Sequence, residues 1–425
     1  MTSNYDLKPL TQVCEVLSGG TPKTTVPEFW NGNIPWASVK DFNIDSRWFS
    51  KTEKSISQLG LDSCSSVLLE PGDLVISARG TVGALGQCKM RTSFNQSNYG
   101  LRAKSALSKN DYLYYALSYA KRALIADTHG GMFDTITRDT LDRLLIPVPT
   151  LKVQEQIAEI LGSLDMKIAV NNALSKTLEI IAQTIFKSWF IDFDPVKAKM
   201  AGEKPAGMDA ATAALFPDSM EESELGIVPS GWKVTKLSSS LKLHKSTVKA
   251  GASTESVPYV PVDQIGAKDI FLKNSMPGSA AKTSLVSFRK NDILFGAMRP
   301  YFHKVVLAPF DGTTRTTTFV LRVINSNYLS HSLFTVNQEN AVAFATNNSQ
   351  GTTIPYAVWN NSFEDFPMVL PPEPTAKAFN DLVLPIIEYG YSLIAQNRSL
   401  VEIRNGLLPR LISGELQIPD EMLAS

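Results

Sequence analysis

One stretch of this chain is written twice. Residues 153–185, moved on by 226 positions, lie on residues 379–411 without a gap. Val153 falls on Phe379, Ile157 on Val383, Ile160 on Ile386 and Leu161 on Ile387. Ile168 falls on Ile394, Asn171 on Asn397, Leu174 on Leu400, Ile181 on Leu407 and Ile185 on Leu411. A repeat at that distance means that one structural unit is built twice. In the first copy Ile157, Leu161, Leu164, Ile168, Asn171, Leu178 and Ile185 step mostly by three and four. In the second, Phe379, Ile386, Leu393, Leu400 and Leu407 step by seven, which is coiled-coil periodicity. Each copy follows a proline-rich entry, Ile146-Pro-Val-Pro149 or Pro371-Pro-Glu-Pro374. Proline cannot continue a preceding helix but can begin a new one. The pattern predicts two helices of about 35 residues, each roughly 50 Å long and pairing antiparallel as a spacer. Asn171 and Asn397 recur where apolar residues are expected. A polar residue in a seam fixes register and partner, the other reading being that both face solvent at a slight stagger.

Between the helices the repeat is fainter. Pro71-Gly-Asp-Leu-Val-Ile-Ser-Ala-Arg79 is echoed by Lys290-Asn-Asp-Ile-Leu-Phe-Gly-Ala-Met-Arg299, each a turn with Asp, a short apolar strand and an arginine at its exit. A polar loop precedes each proline-rich entry, His129-Gly-Gly-Met-Phe-Asp-Thr135 and Asn347-Asn-Ser-Gln-Gly-Thr-Thr353. The chain therefore reads as a globule at 1–150, a helix at 151–191, an extended linker at 192–228, a second globule at 229–372, a helix at 373–413 and a tail at 414–425.

Net charge is zero, which argues weakly against nucleic acid, but its distribution is uneven. Residues 1–150 carry 16 basic and 14 acidic side chains, and residues 226–372 carry 14 and 8. Residues 151–225 carry 7 and 12, and residues 373–425 carry 4 and 7. Neutral-to-basic globules alternate with acidic helices, a pattern that permits DNA binding. No basic region followed by an apolar run opens the sequence, and no apolar stretch is long enough for a bilayer, so no membrane role is expected. Cys14, Cys64 and Cys88 form no CxxC pair, and buried free thiols in a reducing cytoplasm are expected. His129, His244, His303 and His331 show no metal-ligand spacing, so no metal is expected either.

Motifs for chemistry are missing. There is no GxxxxGK[ST] phosphate loop, no Asn/Asp-Pro-Pro-aromatic motif of an adenine methyltransferase, and no GxGxxG after a strand. Asp165-Met-Lys167 supplies a D-x-K triplet as in many nucleases, but mid-helix it reads as a solvated face. A catalytic role for this chain alone is not expected.

Lys187-Ser-Trp-Phe-Ile-Asp-Phe-Asp-Pro-Val-Lys-Ala-Lys199, continuing to Leu215-Phe-Pro-Asp218 and Gly226-Ile-Val-Pro-Ser-Gly-Trp232, is similar to the helix exit, linker and second-domain entry of type I restriction-modification specificity subunits. Ser18-Gly-Gly-Thr-Pro22 with Asn33-Ile-Pro-Trp36 resembles the opening of a target-recognition domain in that family, and Gln154-Glu-Gln156 its helix start. Pro258-Tyr-Val-Pro-Val-Asp263 fits the second recognition domain less tightly. The resemblance covers nearly the whole chain. It implies an α/β (α+β) fold, with two recognition domains joined by two long antiparallel helices in a pseudo-two-fold repeat. It also implies a prokaryotic, cytoplasmic, non-catalytic role. Each domain would read one half of a bipartite, asymmetric site in double-stranded DNA. The helices would set the spacer and hold two methyltransferase subunits, to which restriction subunits attach. Cofactors would lie in those partners: S-adenosylmethionine, ATP and Mg²⁺.

Base edges call for Arg, Lys, Asn and Gln, and phosphates for Lys, Ser, Thr and backbone N–H. In the first globule the candidates are Lys23, Thr24, Arg79, Thr81, Arg91, Asn95 and Gln96. In the second they are Lys245, Lys249, Arg299, Tyr301, Lys304, Arg315, Asn348 and Gln350. Arg79 and Arg299 lead because they recur at matching repeat positions, a fold-stabilising salt bridge being their alternative. Trp30, Trp36 and Trp232 read as packing residues. The seam is assigned to Ile157, Leu161, Leu164, Ile168, Asn171 and Leu178 on one helix and to Ile386, Leu393, Asn397, Leu400 and Leu407 on the other.

Overall fold

The computed structural model describes residues 3–42, 47–49, 51–127, 135–351, 353–419, 421 and 423. The polar loop at 129–134 and residue 352 lie outside them. The chain forms two compact units, one of residues 1–170 with 397–425 and one of residues 171–396. Each unit holds one globule and a stretch of both long helices, Leu151–Phe190 and Glu373–Ser413.

The first unit centres on a five-stranded sheet. Its strands are β1 (Cys14–Ser18), β2 (Trp48–Phe49), β3 (Leu74–Ser77), β4 (Leu85–Cys88) and β5 (Asn98–Ala103), in the order β1-β5-β3-β4-β2. All neighbours are antiparallel except β2, which runs parallel to β4. Leu74-Val-Ile-Ser77 is buried throughout, as expected of a central strand covered on both faces. A second sheet pairs Trp30–Ala37 with Lys54–Ile56 and Ser93–Phe94. Asp73 fixes the turn into β3: its carboxylate accepts the Glu70 N–H at 2.9 Å and both ends of the Arg102 guanidinium from β5. Here the helices meet through Ile157 and Leu161 against Leu408, Leu411 and Ile412. Arg404 donates to Asp165 at 2.7 Å and the Asn397 amide to the Ile168 carbonyl at 3.4 Å, so residue numbers rise on one helix as they fall on the other.

The second unit repeats this plan. Its main sheet is β6 (Leu241–His244), β7 (Ile293–Gly296), β8 (Val305–Leu307) and β9 (Thr318–Val323), in the order β6-β9-β7-β8. This matches β1-β5-β3-β4 strand for strand. Asp292 stands where Asp73 does: it accepts the Arg289 N–H at 2.7 Å and grips Arg322 of β9 at 2.6 and 2.7 Å. The helices pair antiparallel here too. Asn171 donates to Gln396 at 2.6 Å, while Phe186, Trp189 and Phe190 close on Phe379 with ring centroids 6.0, 5.7 and 4.9 Å apart.

The helix starts dock on the globules by a repeated device. Gln154 accepts the Lys109 N–H at 3.2 Å and donates to the Leu107 carbonyl at 2.9 Å. Asn380, which lies 226 positions on, accepts the Ser330 N–H at 3.1 Å. Each amide satisfies a backbone donor near the start of a neighbouring helix, where such donors have no intrahelical partner.

Three expectations are corrected. Residues 192–228 are not an extended linker: they hold helices Asp194–Met200 and Ala210–Ala214 and a hairpin, Met220–Ser223 with Gly226–Pro229. Phe193, Val196 and Phe216 pull the segment onto the second unit's core, Phe216 standing edge-on to Trp189 at 5.1 Å. Asp165 is not on a solvated face, since it is held by Arg404 and the Tyr115 hydroxyl, whereas Met166 and Lys167 of the same triplet are exposed. The second helix does not bury every seventh residue. Phe379 and Leu393 of that row are buried while Ile386, Leu400 and Leu407 are half-buried, and Val383, Ile387, Ile394, Leu408 and Leu411 are buried beside them.

Candidate DNA-reading surface

In both units the exit of the central strand has the same backbone geometry. The Ala78 N–H bonds the Ser97 carbonyl at 2.8 Å, and the Ala297 N–H bonds the Thr317 carbonyl at 2.9 Å. With Ala78 and Ala297 equivalent, Arg79 corresponds to Met298 and Gly80 to Arg299. The matching of Arg79 with Arg299 is thus corrected by one residue. The shared feature there is backbone shape: Gly80 has φ +78° and Arg299 φ +52°. A left-handed arginine is unfavourable without support. Its support is the Arg299 N–H on the Pro355 carbonyl at 2.8 Å.

In the first unit Lys23, Thr24, Arg79, Thr81 and Gln96 are exposed. Gln96 contacts the Thr21 hydroxyl, the Thr81 carbonyl accepts from Ser77, and the Lys23 carbonyl accepts the Trp30 indole at 3.2 Å. Among the described residues Arg79 has no hydrogen-bond or ionic partner, so its guanidinium is free for a ligand. Arg91 is instead held two-pronged by Glu70, both contacts at 2.9 Å, and this pairing pushes the Glu70 carboxyl below its ordinary range. Asn95 shapes its own turn, accepting from Ser97 at 3.2 Å and Asn98 at 2.9 Å. Trp36 is buried with its indole on the Gly20 carbonyl, and Trp30 packs edge-on against it at 5.2 Å.

In the second unit Lys245, Lys249, Arg315, Asn348 and Gln350 are exposed. Lys245 and Gln350 come together on the rim of a cleft of about 680 Å³, lined also by Thr318, Phe319, Tyr356 and Trp359. Asn348 caps the preceding helix through the Phe344 carbonyl at 2.9 Å, and Lys304 is turned inward to the Val262 carbonyl at 2.7 Å. Tyr301 is exposed and leans on Phe302 with centroids 4.8 Å apart. Arg299 is half-buried, and its Nε has no hydrogen-bond partner. Trp232 is buried among Phe190, Phe193 and Phe216.

The cleft was missed by sequence reasoning because Phe319, Tyr356 and Trp359 lie on separate segments with ordinary core spacing. Sequence reasoning also passed over Arg47, which is buried against Gln87, Tyr115 and Asp111 and packs on the Trp48, Tyr114 and Tyr115 rings. It ties β2 to the Tyr115–Asp165 contact on the first long helix. Among the described residues no three His, Cys, Asp or Glu side chains are grouped to hold a metal, and no helix is long and apolar enough to cross a membrane.

Residues 2–180 match the family model of the type I restriction modification DNA specificity domain. The type I restriction enzyme MjaIX specificity subunit of Methanocaldococcus jannaschii is 26% identical, over 98% of this chain and 94% of its own. The HindI specificity subunit of Haemophilus influenzae is 24% identical over 69% and 73%. The crystal structure of a type I restriction-modification S subunit from M. genitalium shares the fold, with a TM-score of 0.59 and 14% identity over 96% of both chains. Two repeated α/β units on a pair of long helices, together with this likeness along the whole sequence, make the chain similar to the type I restriction-modification specificity subunits, and its residues 2–180 match the DNA specificity domain of that family.

Proposed function

We propose that each unit reads one half of a bipartite, asymmetric DNA site, with the helix pair fixing the spacer between the halves. The observation that carries this is the duplicated frame with unlike loops. The Asp73–Arg102 and Asp292–Arg322 contacts hold equivalent strands, while the loops leaving those strands differ, Arg79-Gly-Thr-Val-Gly83 in one and Arg299-Pro-Tyr-Phe-His303 in the other. A common scaffold with different polar loops is how one fold reads two base sequences. In this reading Lys23, Thr24, Arg79, Thr81 and Gln96 face the first half-site, and Lys245, Lys249, Arg299, Arg315 and Gln350 the second. Recognition domains 1–150 and 229–372 are the exchangeable modules.

Two methyltransferase subunits dock on the helices, and restriction subunits join through them. Apolar side chains stand exposed on those helices in both units: Met166, Val170 and Ile403 in the first, Ile180, Leu382 and Tyr389 in the second. Exposed apolar groups on long helices suit a protein partner. S-adenosylmethionine, ATP and Mg²⁺ then belong to the partners. The test is co-expression with a methyltransferase subunit and mapping of methylated adenines by single-molecule sequencing. A two-part methylated site is expected, and exchanging residues 229–372 for a relative's domain should change one part alone. Arg299→Ala should relax only the second part, at a cost of about 1–3 kcal/mol if it grips a guanine. Methylation unchanged after the exchange would overturn the reading.

A further inference from the structure

The cleft of the second unit is larger and more aromatic than a surface that only touches base edges requires. Its volume of about 680 Å³ is that of a small-molecule site. The Tyr356 ring stands at 84° to Phe319 with centroids 6.3 Å apart, and Trp359 at 79° and 6.4 Å. The Tyr356 and Trp359 rings thus pack edge-on to Phe319, and all three line one cleft. Thr318 lines it, 2% exposed, and its buried hydroxyl has no hydrogen-bond partner. A buried hydroxyl left unpaired lowers stability unless a ligand completes it.

The charge of the lining selects the occupant. Aromatic boxes often take cations, but those cations also want carboxylates nearby. Among the described residues no Asp or Glu lines this cleft, and Lys245 is one of its lining residues. His244 lines it as an uncharged ring, since burial and then the nearby Arg322 hold its pKa below its ordinary range. A neutral, planar group carrying a phosphate fits: a nucleobase with its backbone.

Beside the cleft lies a turn that could free such a base. Arg299 and His303 both have φ +52°, and between them Tyr301 and Phe302 are 51% and 47% exposed. The turn is tied to the cleft wall, with the Arg299 N–H on Pro355 and Met298 bridged to Tyr356. Left-handed backbone at two non-glycine residues is kept where surrounding structure enforces it, often at functional sites. Here it holds two aromatic side chains outward, as wedges that part base steps are held.

We infer that the second unit unstacks one base of its half-site: Tyr301 and Phe302 enter a base step, and the base turns into the Phe319–Tyr356–Trp359 cleft. There Thr318 and Gln350 meet its edge and Lys245 its phosphate. The inference rests on the DNA-reading role proposed above. The first unit's equivalent turn, Arg79-Gly-Thr-Val-Gly83, has no aromatic residue, so extrusion is confined to the second half-site.

The test uses the full chain with its methyltransferase subunits, without S-adenosylmethionine, on its mapped duplex. A fluorescent base analogue, 2-aminopurine or pyrrolocytosine, is placed one position at a time outside the methylated adenines, and an end label reports binding. A several-fold fluorescence rise is expected at one position of the second half-site and at none of the first. Tyr301→Ser with Phe302→Ser, both exposed, should weaken binding and abolish the rise per bound duplex. Thr318→Val should weaken base preference at that position alone. A mismatch opposite the extruded base should tighten binding several-fold, because unpairing is then partly done. A bound duplex with every analogue still quenched would overturn the extrusion and leave the DNA-reading role standing. A mapped duplex that does not bind at all would take both down.

Discussion

Replacing Asp292 with alanine tests whether the duplicated frame is what keeps the second unit's reading loops in place. The carboxylate is almost fully buried, 3% exposed in its side chain, and Arg322 is 22% exposed. Asp292→Ala removes two contacts to the guanidinium, at 2.6 and 2.7 Å, and one to the Arg289 N–H at 2.7 Å. Breaking a buried ion pair from one side costs about 3–5 kcal/mol. Arg322 can still reach water, so the lower end, about 3 kcal/mol, applies. The stranded Arg289 N–H adds about 1 kcal/mol. A loss of about 4 kcal/mol shifts an opening equilibrium roughly a thousandfold. That is much of the ~5–15 kcal/mol that holds a domain, so the unit should stay folded at 25 °C with a narrow margin. Hydrogen exchange of peptides spanning 289–296 and 318–323 in the full chain measures the shift directly. Asp292→Ala with Arg322→Met, which strands no charge, should recover about 2 kcal/mol. Asp73→Ala should cost less, because Arg102 is 34% exposed and better able to find solvent. A loss under about 1 kcal/mol, or a double variant no better than the single, would refute this reasoning.

Three other outcomes follow from particular residues. His331 is buried beside Phe186, Phe190 and Tyr328, and burial pushes its pKa down to about 3. The unfolded chain takes that proton near pH 6.5 and the folded one does not, so stability is full above 6.5 and falls with pH. About 2 kcal/mol should be gone by pH 5 in urea titrations, and His331→Leu should flatten the dependence. Burial pushes the Cys14 and Cys88 thiols up to about 12, so iodoacetamide at pH 8 should label half-buried Cys64 first, as mass spectrometry of the folded chain would show. Asn171 meets Gln396 and Phe186 meets Phe379, so a four-residue insertion after Asn172 is level with one after Leu393. Together they lengthen both helices by about 6 Å and rotate the seam by about 40°. Methylation mapping should then find a spacer longer by one or two base pairs at about 3.4 Å each; an unchanged spacer in an active complex would mean the helices do not set it.

The repeat was legible wherever it rests on side chains that must be apolar at fixed spacing. The offset of 226 reaches Gln154 and Asn380, which hold backbone donors of the globules in the same way. The strand carrying Asp73 was likewise visible from Asp292, because a turn that needs a carboxylate at one place leaves a mark in both copies. The exit of that strand was misjudged by one residue. Arginine at 79 and 299 suggested equivalence, whereas hydrogen-bond register, which leaves no trace in composition, aligns Arg299 with Gly80. The cleft was not legible for a different reason: Phe319, Tyr356 and Trp359 meet only after a strand and a loop have folded together. Residues 192–228 misled through their Ala, Pro and Gly content, which hid the few aromatic side chains that anchor them.

The polar contact between Asn171 and Gln396 bears on how a newly made chain finds its own second helix. Because the two helices are copies, the first helix of one molecule could pair with the first helix of another. In that pairing the position of Gln396 is taken by Val170, and the fully buried Asn171 amide would face a side chain that cannot accept its proton. An unmet buried donor costs about 1–3 kcal/mol, which disfavours the mistaken partner by a factor of roughly ten or more. Asn397 also reaches the backbone, donating to the Ile168 carbonyl at 3.4 Å, a group that any helix presents. The first copy therefore carries a discriminating contact from the start, although it is synthesised while its proper partner does not yet exist.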